Sequence, residues 1–197
     1  MSIKSYKVVL LGDSGVGKTC LANRIKFRRF PTRIESTIGC EFFAKTYTFP
    51  DNTSIKFLIW DTSGQEVFKT FTPQFCRGAY LALIFYDVGT TDDENKLVKS
   101  IKDWISFAPE SCTILTVPTK HDALGSTQKP RRLSDKMFVD TSRDVHVAKP
   151  TSAKADTGID ELLTQMAEIL LPLQYRERES DLVAIAEPRK EESCCSA

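Results

Sequence analysis

Three short stretches of the chain are apolar without alternation: Val8 to Leu11, Leu81 to Tyr86 and Ile114 to Val117. A strand covered on both faces has no solvent side to mark with polar residues, so such runs predict buried strands of a parallel sheet. Ile55 to Trp60 is a fourth, less pure run. Between them the period changes. Leu97, Ile101, Trp104 and Ile105 recur at helical spacing, as do Ile159, Leu162, Leu163, Met166, Ile169 and Leu170, each set forming one apolar stripe. Strands and helices in alternation predict an α/β domain with a doubly wound, mostly parallel sheet and helices on both faces. Cys40 to Phe49 and Ser54 to Trp60, separated by Pro50-Asp51-Asn52-Thr53, read instead as a hairpin, hence one antiparallel edge strand. In Leu133 to Arg143 only Leu133, Met137 and Phe138 suggest a helical face. From about Pro172 charge replaces apolar periodicity, so a single domain over 1–172 is expected, followed by a mobile tail over 173–197.

Composition narrows the function classes only slightly. The chain has 197 residues, 41% of them hydrophobic and 27% charged, with a formal net charge of +1. That balance gives no bulk electrostatic reason to bind nucleic acid, and none is expected as a partner. No run reaches the roughly 18 apolar residues of a membrane span. Met1-Ser2-Ile3-Lys4 leads straight into a strand pattern, with no signal-peptide stretch and no Gly at position 2 for myristoylation, so a cytoplasmic protein is expected, as a monomer. Cys20, Cys40, Cys76 and Cys112 are scattered singly and are expected to be free buried thiols. Cys194 and Cys195 are adjacent.

The strongest chemical signal is Gly12-Asp13-Ser14-Gly15-Val16-Gly17-Lys18-Thr19, which fits G-x-x-x-x-G-K-[ST] and lies between a buried strand and a helix-like segment. Glycines let the backbone curl until successive N–H groups converge on phosphate oxygens at the positive end of the following helix. Lys18 can reach the β- and γ-phosphates, and the Thr19 hydroxyl can ligate Mg²⁺. Ser14, Gly15, Val16, Gly17, Lys18, Thr19 and Cys20 are therefore expected to contact a nucleotide. This motif alone does not separate kinases, ATPases and GTPases. The second signal is Trp60-Asp61-Thr62-Ser63-Gly64-Gln65-Glu66 at a strand end. Asp61 suits a Walker-B role at the metal, directly or through water. Gly64 can offer an N–H to a γ-phosphate, and the Gln65 amide can orient an attacking water, which makes Gln65 the candidate catalytic residue.

With these residues in view, the sequence resembles the Ras superfamily over roughly residues 5 to 171. Asp61-Thr62-Ser63-Gly64-Gln65-Glu66 is similar to that family's D-x-x-G-Q motif. The resemblance implies a P-loop fold with six strands. It places Thr37 as the switch residue that senses γ-phosphate and Mg²⁺, and Phe30 as the ring flanking guanine. Thr119-Lys120-His121-Asp122 resembles N-K-x-D, which implies that Asp122 accepts from the guanine N1–H and 2-amino group while Lys120 packs its stem over the base. Thr151-Ser152-Ala153-Lys154 matches T-S-A-K, whose backbone meets the guanine O6, so Ser152, Ala153 and Lys154 join the expected site. Thr119 replaces the usual Asn. The Rho branch also carries Thr there, so guanine binding is expected to survive, with altered exchange. His121 and His146 are expected to be exposed and without a role.

Several stretches resemble the Rab branch. Ile38-Gly39-Cys40-Glu41-Phe42 is similar to I-G-V-D-F, and Phe75-Cys76-Arg77-Gly78-Ala79 to Y-Y-R-G-A. There is no room for the extra Rho helix. By this resemblance Phe42, Trp60 and Phe75 form an aromatic patch read by effectors, although plain core aromatics would show the same letters. Ser63 and Val67 depart from the usual Ala and Arg. The ending Cys194-Cys195-Ser196-Ala197 resembles doubly geranylgeranylated C-C-x-x termini and also fits a farnesylated C-a-a-X box. One lipid chain binds a membrane only marginally, and the tail lacks a polybasic second signal, so two lipids are favoured. The implied protein is a slow GTPase switch of membrane traffic, with Mg²⁺ as cofactor and GTP and GDP as substrate and product. It would cycle onto the cytosolic face of an intracellular membrane. Its implied partners are effectors, an exchange factor, an activating protein, a prenylation escort and a GDP-dissociation inhibitor. A hydrolysis-impaired GTP-binding adaptor and an ATP-dependent small-molecule kinase are the rival readings.

Overall fold

A computed structural model of the chain describes residues 3–33, 37–65, 70–89, 94–124 and 143–186. Six strands form one sheet: β1 (Ser5–Leu11), β2 (Cys40–Thr48), β3 (Ser54–Thr62), β4 (Leu81–Asp87), β5 (Thr113–Thr119) and β6 (Val145–Val147). Their order is β2-β3-β1-β4-β5-β6, parallel throughout except where β2 runs antiparallel to β3. The apolar runs fall on β1, β4 and β5, the hairpin is β2–β3, and the expected six-stranded P-loop architecture is the one found. The turn between β2 and β3 closes through Phe49 N–H to the Thr53 carbonyl at 2.8 Å, with the Asp51 carboxylate accepting from the Thr53 N–H at 2.9 Å.

Four α-helices cover the sheet among the described residues: α1 (Lys18–Phe27), α2 (Thr72–Cys76), α3 (Glu94–Ile105) and α4 (Ile159–Ala186). Alternate residues of a strand point to opposite faces, and β1 divides accordingly. Val8 and Leu10 pack with Leu21 and Ile25 of α1 and with Leu162, Met166 and Leu170 of α4. Val9 and Leu11 pack with Leu97, Ile101 and Trp104 of α3. Both predicted helical stripes thus end in core.

Three expectations need correction or fall elsewhere. The helix does not stop near Pro172: α4 continues to Ala186 with that proline inside it. A proline removes one helical donor, yet the run after it is rich in Arg and Glu, which are good helix formers. His146 is half-buried in β6 rather than exposed, with Nε2 3.1 Å from the Asp144 carboxylate. Most of the weak helix at Leu133 to Arg143 lies outside the described residues, as do Val67, Cys194 and Cys195.

The strand order reverses at β1, with β3 on one side and β4 on the other. In such sheets a crevice forms beyond the carboxyl ends of the strands at that point. The loop after Leu11 enters it.

Candidate nucleotide site

The loop from Gly12 to Gly17 leaves β1 through one tight constraint and enters α1 at an uncapped end. Gly12 has φ 138°, and a Cβ there would lie 2.5 Å from the Phe85 carbonyl oxygen, so no other residue fits. At the other end α1 starts at Lys18 with no side-chain cap and no acidic residue in its first turn. Its leading N–H groups are thus left for an anion. Asp13 is held from the far side: Trp104 Nε1 donates to one of its oxygens at 2.8 Å and Ser100 Oγ to the other at 2.6 Å.

Lys18 reaches back over this loop, its Nζ donating to the carbonyls of Gly12 at 2.8 Å and Asp13 at 2.9 Å. Burial lowers its pKa to about 8, against the pull of Asp61 and Asp13. Asp61, next to last in β3, lies opposite Leu10 and is only 1% exposed. Both carboxylate oxygens are buried and neither meets hydrogen-bond geometry with a described residue, the Thr19 hydroxyl being near but not aligned; burial pushes the pKa up to about 6, against that hydroxyl and the Lys18 ammonium. A buried carboxylate in that condition is costly unless something positive joins it. The Thr19 and Thr37 hydroxyls lie 2.6 Å apart, which brings the loop around 37 to the start of α1. One carboxylate and two hydroxyls form a hard oxygen donor set of the kind Mg²⁺ takes together with phosphate oxygens and water.

A cavity of about 320 Å³ opens above these groups. Ser14, Gly15, Gly17, Lys18, Thr19, Cys20, Thr37, Gly64 and Gln65 line one end, and Phe30, Thr119, Lys120, Asp122, Ala153 and Lys154 the other. Leu21 and Ala123, which carried no signal in the sequence, also line it, as does Ser63, the residue that departs from the usual Ala. Two expected contacts stand behind the wall. The Val16 side chain is in the core, and Ser152 is fully buried. Ser152 instead orients Asp122: its Oγ donates to the Asp122 carboxylate at 2.5 Å and accepts from the Ala155 N–H at 2.9 Å. Lys120, with φ 57°, turns its ammonium onto the Asp87 carboxylate at 2.8 Å. Cys76 and Cys112 are free buried thiols as expected, but Cys20 and Cys40 are only half-buried, the first because α1 presents it to the cavity and the second because it opens an edge strand.

Thr119 braces the phosphate loop despite its short side chain. Its buried Oγ1 lies 2.6 Å from the Val16 carbonyl and 2.9 Å from that of Tyr86, so one hydroxyl proton is shared between the loop and β4. Thr119→Val keeps the shape and strands the Val16 carbonyl, and should lower the unfolding free energy by about 1–3 kcal/mol in urea denaturation. An unchanged midpoint would show that the hydroxyl braces nothing.

Of the three aromatics expected at a recognition patch, none is fully buried. Phe42 is 53% exposed and pairs across the hairpin with half-buried Trp60, ring centroids 5.4 Å apart. Lys7 Nζ sits 4.4 Å from the Trp60 ring and donates to the Arg77 carbonyl at 2.8 Å. Phe75 is half-buried.

A glycine loop, a buried lysine and an orphaned carboxylate at the switch point of a doubly wound sheet define a P-loop nucleoside-triphosphate-binding domain. Comparison with known proteins narrows the class. The Ras family model matches residues 7–171. The chain is 38% identical to Ras-related protein Rab-1C of Dictyostelium discoideum over 82% of its own length and 78% of that protein's. It is 32% identical to human Ras-related protein Rab-15, over 95% and 89%, and 33% identical to human Ras-related protein Rab-31, over 99% and 100%. The chain belongs to the Ras family, in its Rab branch, and is a small GTPase that takes GTP to GDP.

Proposed function

We propose that the cavity holds Mg²⁺-GTP or Mg²⁺-GDP and that slow hydrolysis there switches a regulator of membrane traffic. The observation that carries this reading is the meeting of phosphate-side and base-side residues in one cavity over the buried, unpartnered Asp61 carboxylate. Guanine would lie between Phe30 and the Lys120 stem, with Asp122 accepting from N1–H and the 2-amino group and the backbone at Ala153 and Lys154 meeting O6. The phosphates would take the uncapped N–H groups of α1 and the Lys18 ammonium. Thr19, Thr37 and Asp61 would hold Mg²⁺, which supplies neutralising charge at the phosphate oxygens.

Thr37 and Gly64 would draw their two loops onto the γ-phosphate, so that ordering the loops reports its presence. Gln65 orients the water for in-line attack on the γ-phosphorus, and catalysis is otherwise electrostatic. No arginine of the described residues lines the cavity, so intrinsic turnover is slow and an activating protein is required. The Phe42–Trp60 patch with Phe75 serves effectors in the GTP state. Exchange factor, prenylation escort and GDP-dissociation inhibitor complete the cycle. The adjacent Cys194 and Cys195 carry two lipids, which anchor the chain at the cytosolic face of an intracellular membrane.

Single-turnover phosphate release with and without Gln65→Leu tests the mechanism. The variant is expected to fall by at least tenfold with GTP affinity intact. An unchanged rate removes Gln65 from catalysis, and no release from the wild type makes the protein a permanently loaded adaptor. GTP competing no better than ATP would remove the guanine assignment.

A further inference from the structure

Arg24 belongs to none of the motifs, yet it is 9% exposed and its charge lies inside the protein. A buried guanidinium is costly unless its donors are engaged. Here they are spent mainly on backbone. Nε donates to the Ala153 carbonyl at 2.8 Å, Nη2 to the Lys154 carbonyl at 3.3 Å, and Nη1 to the Arg28 carbonyl at 2.9 Å. The one carboxylate in reach, Asp156, is 3.4 Å from Nη1 and itself 43% exposed. Two of the three carbonyls it holds are successive units of one loop, which gives the buried charge a positional use.

Peptide units are planar, and with no cis bonds here each C=O points opposite to the following N–H. Drawing the Ala153 carbonyl toward α1 turns the Lys154 N–H away from α1, and drawing the Lys154 carbonyl does the same for the Ala155 N–H. Ala153 and Lys154 line the cavity, while the Ala155 N–H meets Ser152 Oγ, which in turn donates to Asp122. One planar fork therefore sets both arms that face the purine: the backbone at 153–154 and, through Ala155 and Ser152, the Asp122 carboxylate. Lysine has no such fork and would reach only one carbonyl at a time.

We propose that Arg24 is a positioning residue for base recognition, fixing the peptide planes of residues 153–155 so that the 6-oxo group is read from the same helix whose N-terminus cradles the phosphates. This rests on the guanine reading above.

The test compares GDP with 6-thio-GDP, in which the 6-oxygen is replaced by the weaker acceptor sulfur, on the full chain. The wild type should bind the thio nucleotide less well by a measurable factor. In Arg24→Met GDP affinity should drop about tenfold or more, on the scale of one charged hydrogen bond, and the thio factor should shrink toward one. Arg24→Lys, which keeps charge and stem and so serves if the methionine variant does not fold, should give a factor in between. A purely structural role weakens both nucleotides equally, so an unchanged thio factor in either variant overturns the proposal. A wild type that binds GDP without any thio penalty also overturns it, and leaves the guanine reading standing on Asp122. Failure of the wild type to bind GDP removes both.

Discussion

Gly64→Ala is expected to reduce GTP hydrolysis by about two orders of magnitude, the scale seen when one backbone donor to a developing charge is lost, while GDP affinity changes far less. The cause is steric. A Cβ on Gly64 would run into Lys18 Nζ and stand 2.6 Å from the carbonyl carbon and oxygen of Asp13. Lys18 cannot step aside cheaply, because its buried ammonium is held by two carbonyls. Asp13 is pinned through its side chain to Trp104 and Ser100 on α3. The segment carrying Gly64 must therefore retreat, taking with it the N–H meant for the γ-phosphate and the Gln65 amide beside it. GDP has no γ-phosphate to miss. Single-turnover phosphate release set beside GDP titration reads both quantities, and hydrolysis within twofold of wild type would mean that the loop has room to spare.

Asp122→Asn should weaken GDP by roughly two to four orders of magnitude, the worth of two charged hydrogen bonds. It should also turn preference toward xanthosine diphosphate. Ser152 explains the direction. Its hydroxyl proton goes to Asp122 Oδ1, because a carboxylate oxygen can only accept, while its oxygen takes the Ala155 N–H. An asparagine at 122 that keeps this donation presents its oxygen to Ser152 and its amide nitrogen along the other arm. That NH₂ opposes the guanine 2-amino group, donor against donor, but suits a 2-oxo acceptor. Competition binding with GDP and xanthosine diphosphate measures the exchange. Equal loss for both would place Asp122 away from the base.

The parts of this protein that were legible beforehand share one property: the reason for them is local. β1, β4 and β5 show as runs because both of their faces are covered. The phosphate loop shows because its tight curl demands glycine at Gly12, and the Phe85 carbonyl confirms that demand from the other side. β6 has only three residues, each half-buried, and so leaves no period to detect. α2 has only five residues, with Pro73 in its first turn. Arg24 was invisible because the loop carbonyls it holds, at Ala153 and Lys154, are 129 and 130 residues away in sequence, and a lone arginine on a helix reads as a solvated charge. Thr119 looked like a weakened substitute for asparagine. Only the fold shows that one hydroxyl reaches the Val16 and Tyr86 carbonyls together. The loss of apolar periodicity near Pro172 marks where the core-facing stripe ends, not where the helix ends, since α4 runs on to Ala186 through residues that form helix without such a stripe.

The indole of Trp104 is fastened to Asp13, while that of Trp60 lies against Phe42 under the Lys7 ammonium. The chain has no other tryptophan. Nature has thus fitted it with two built-in fluorophores, one reporting on the cradle and the other on the outer aromatic surface. Replacing either with phenylalanine would isolate the remaining signal and allow each region's movement to be followed by emission alone, without an attached dye.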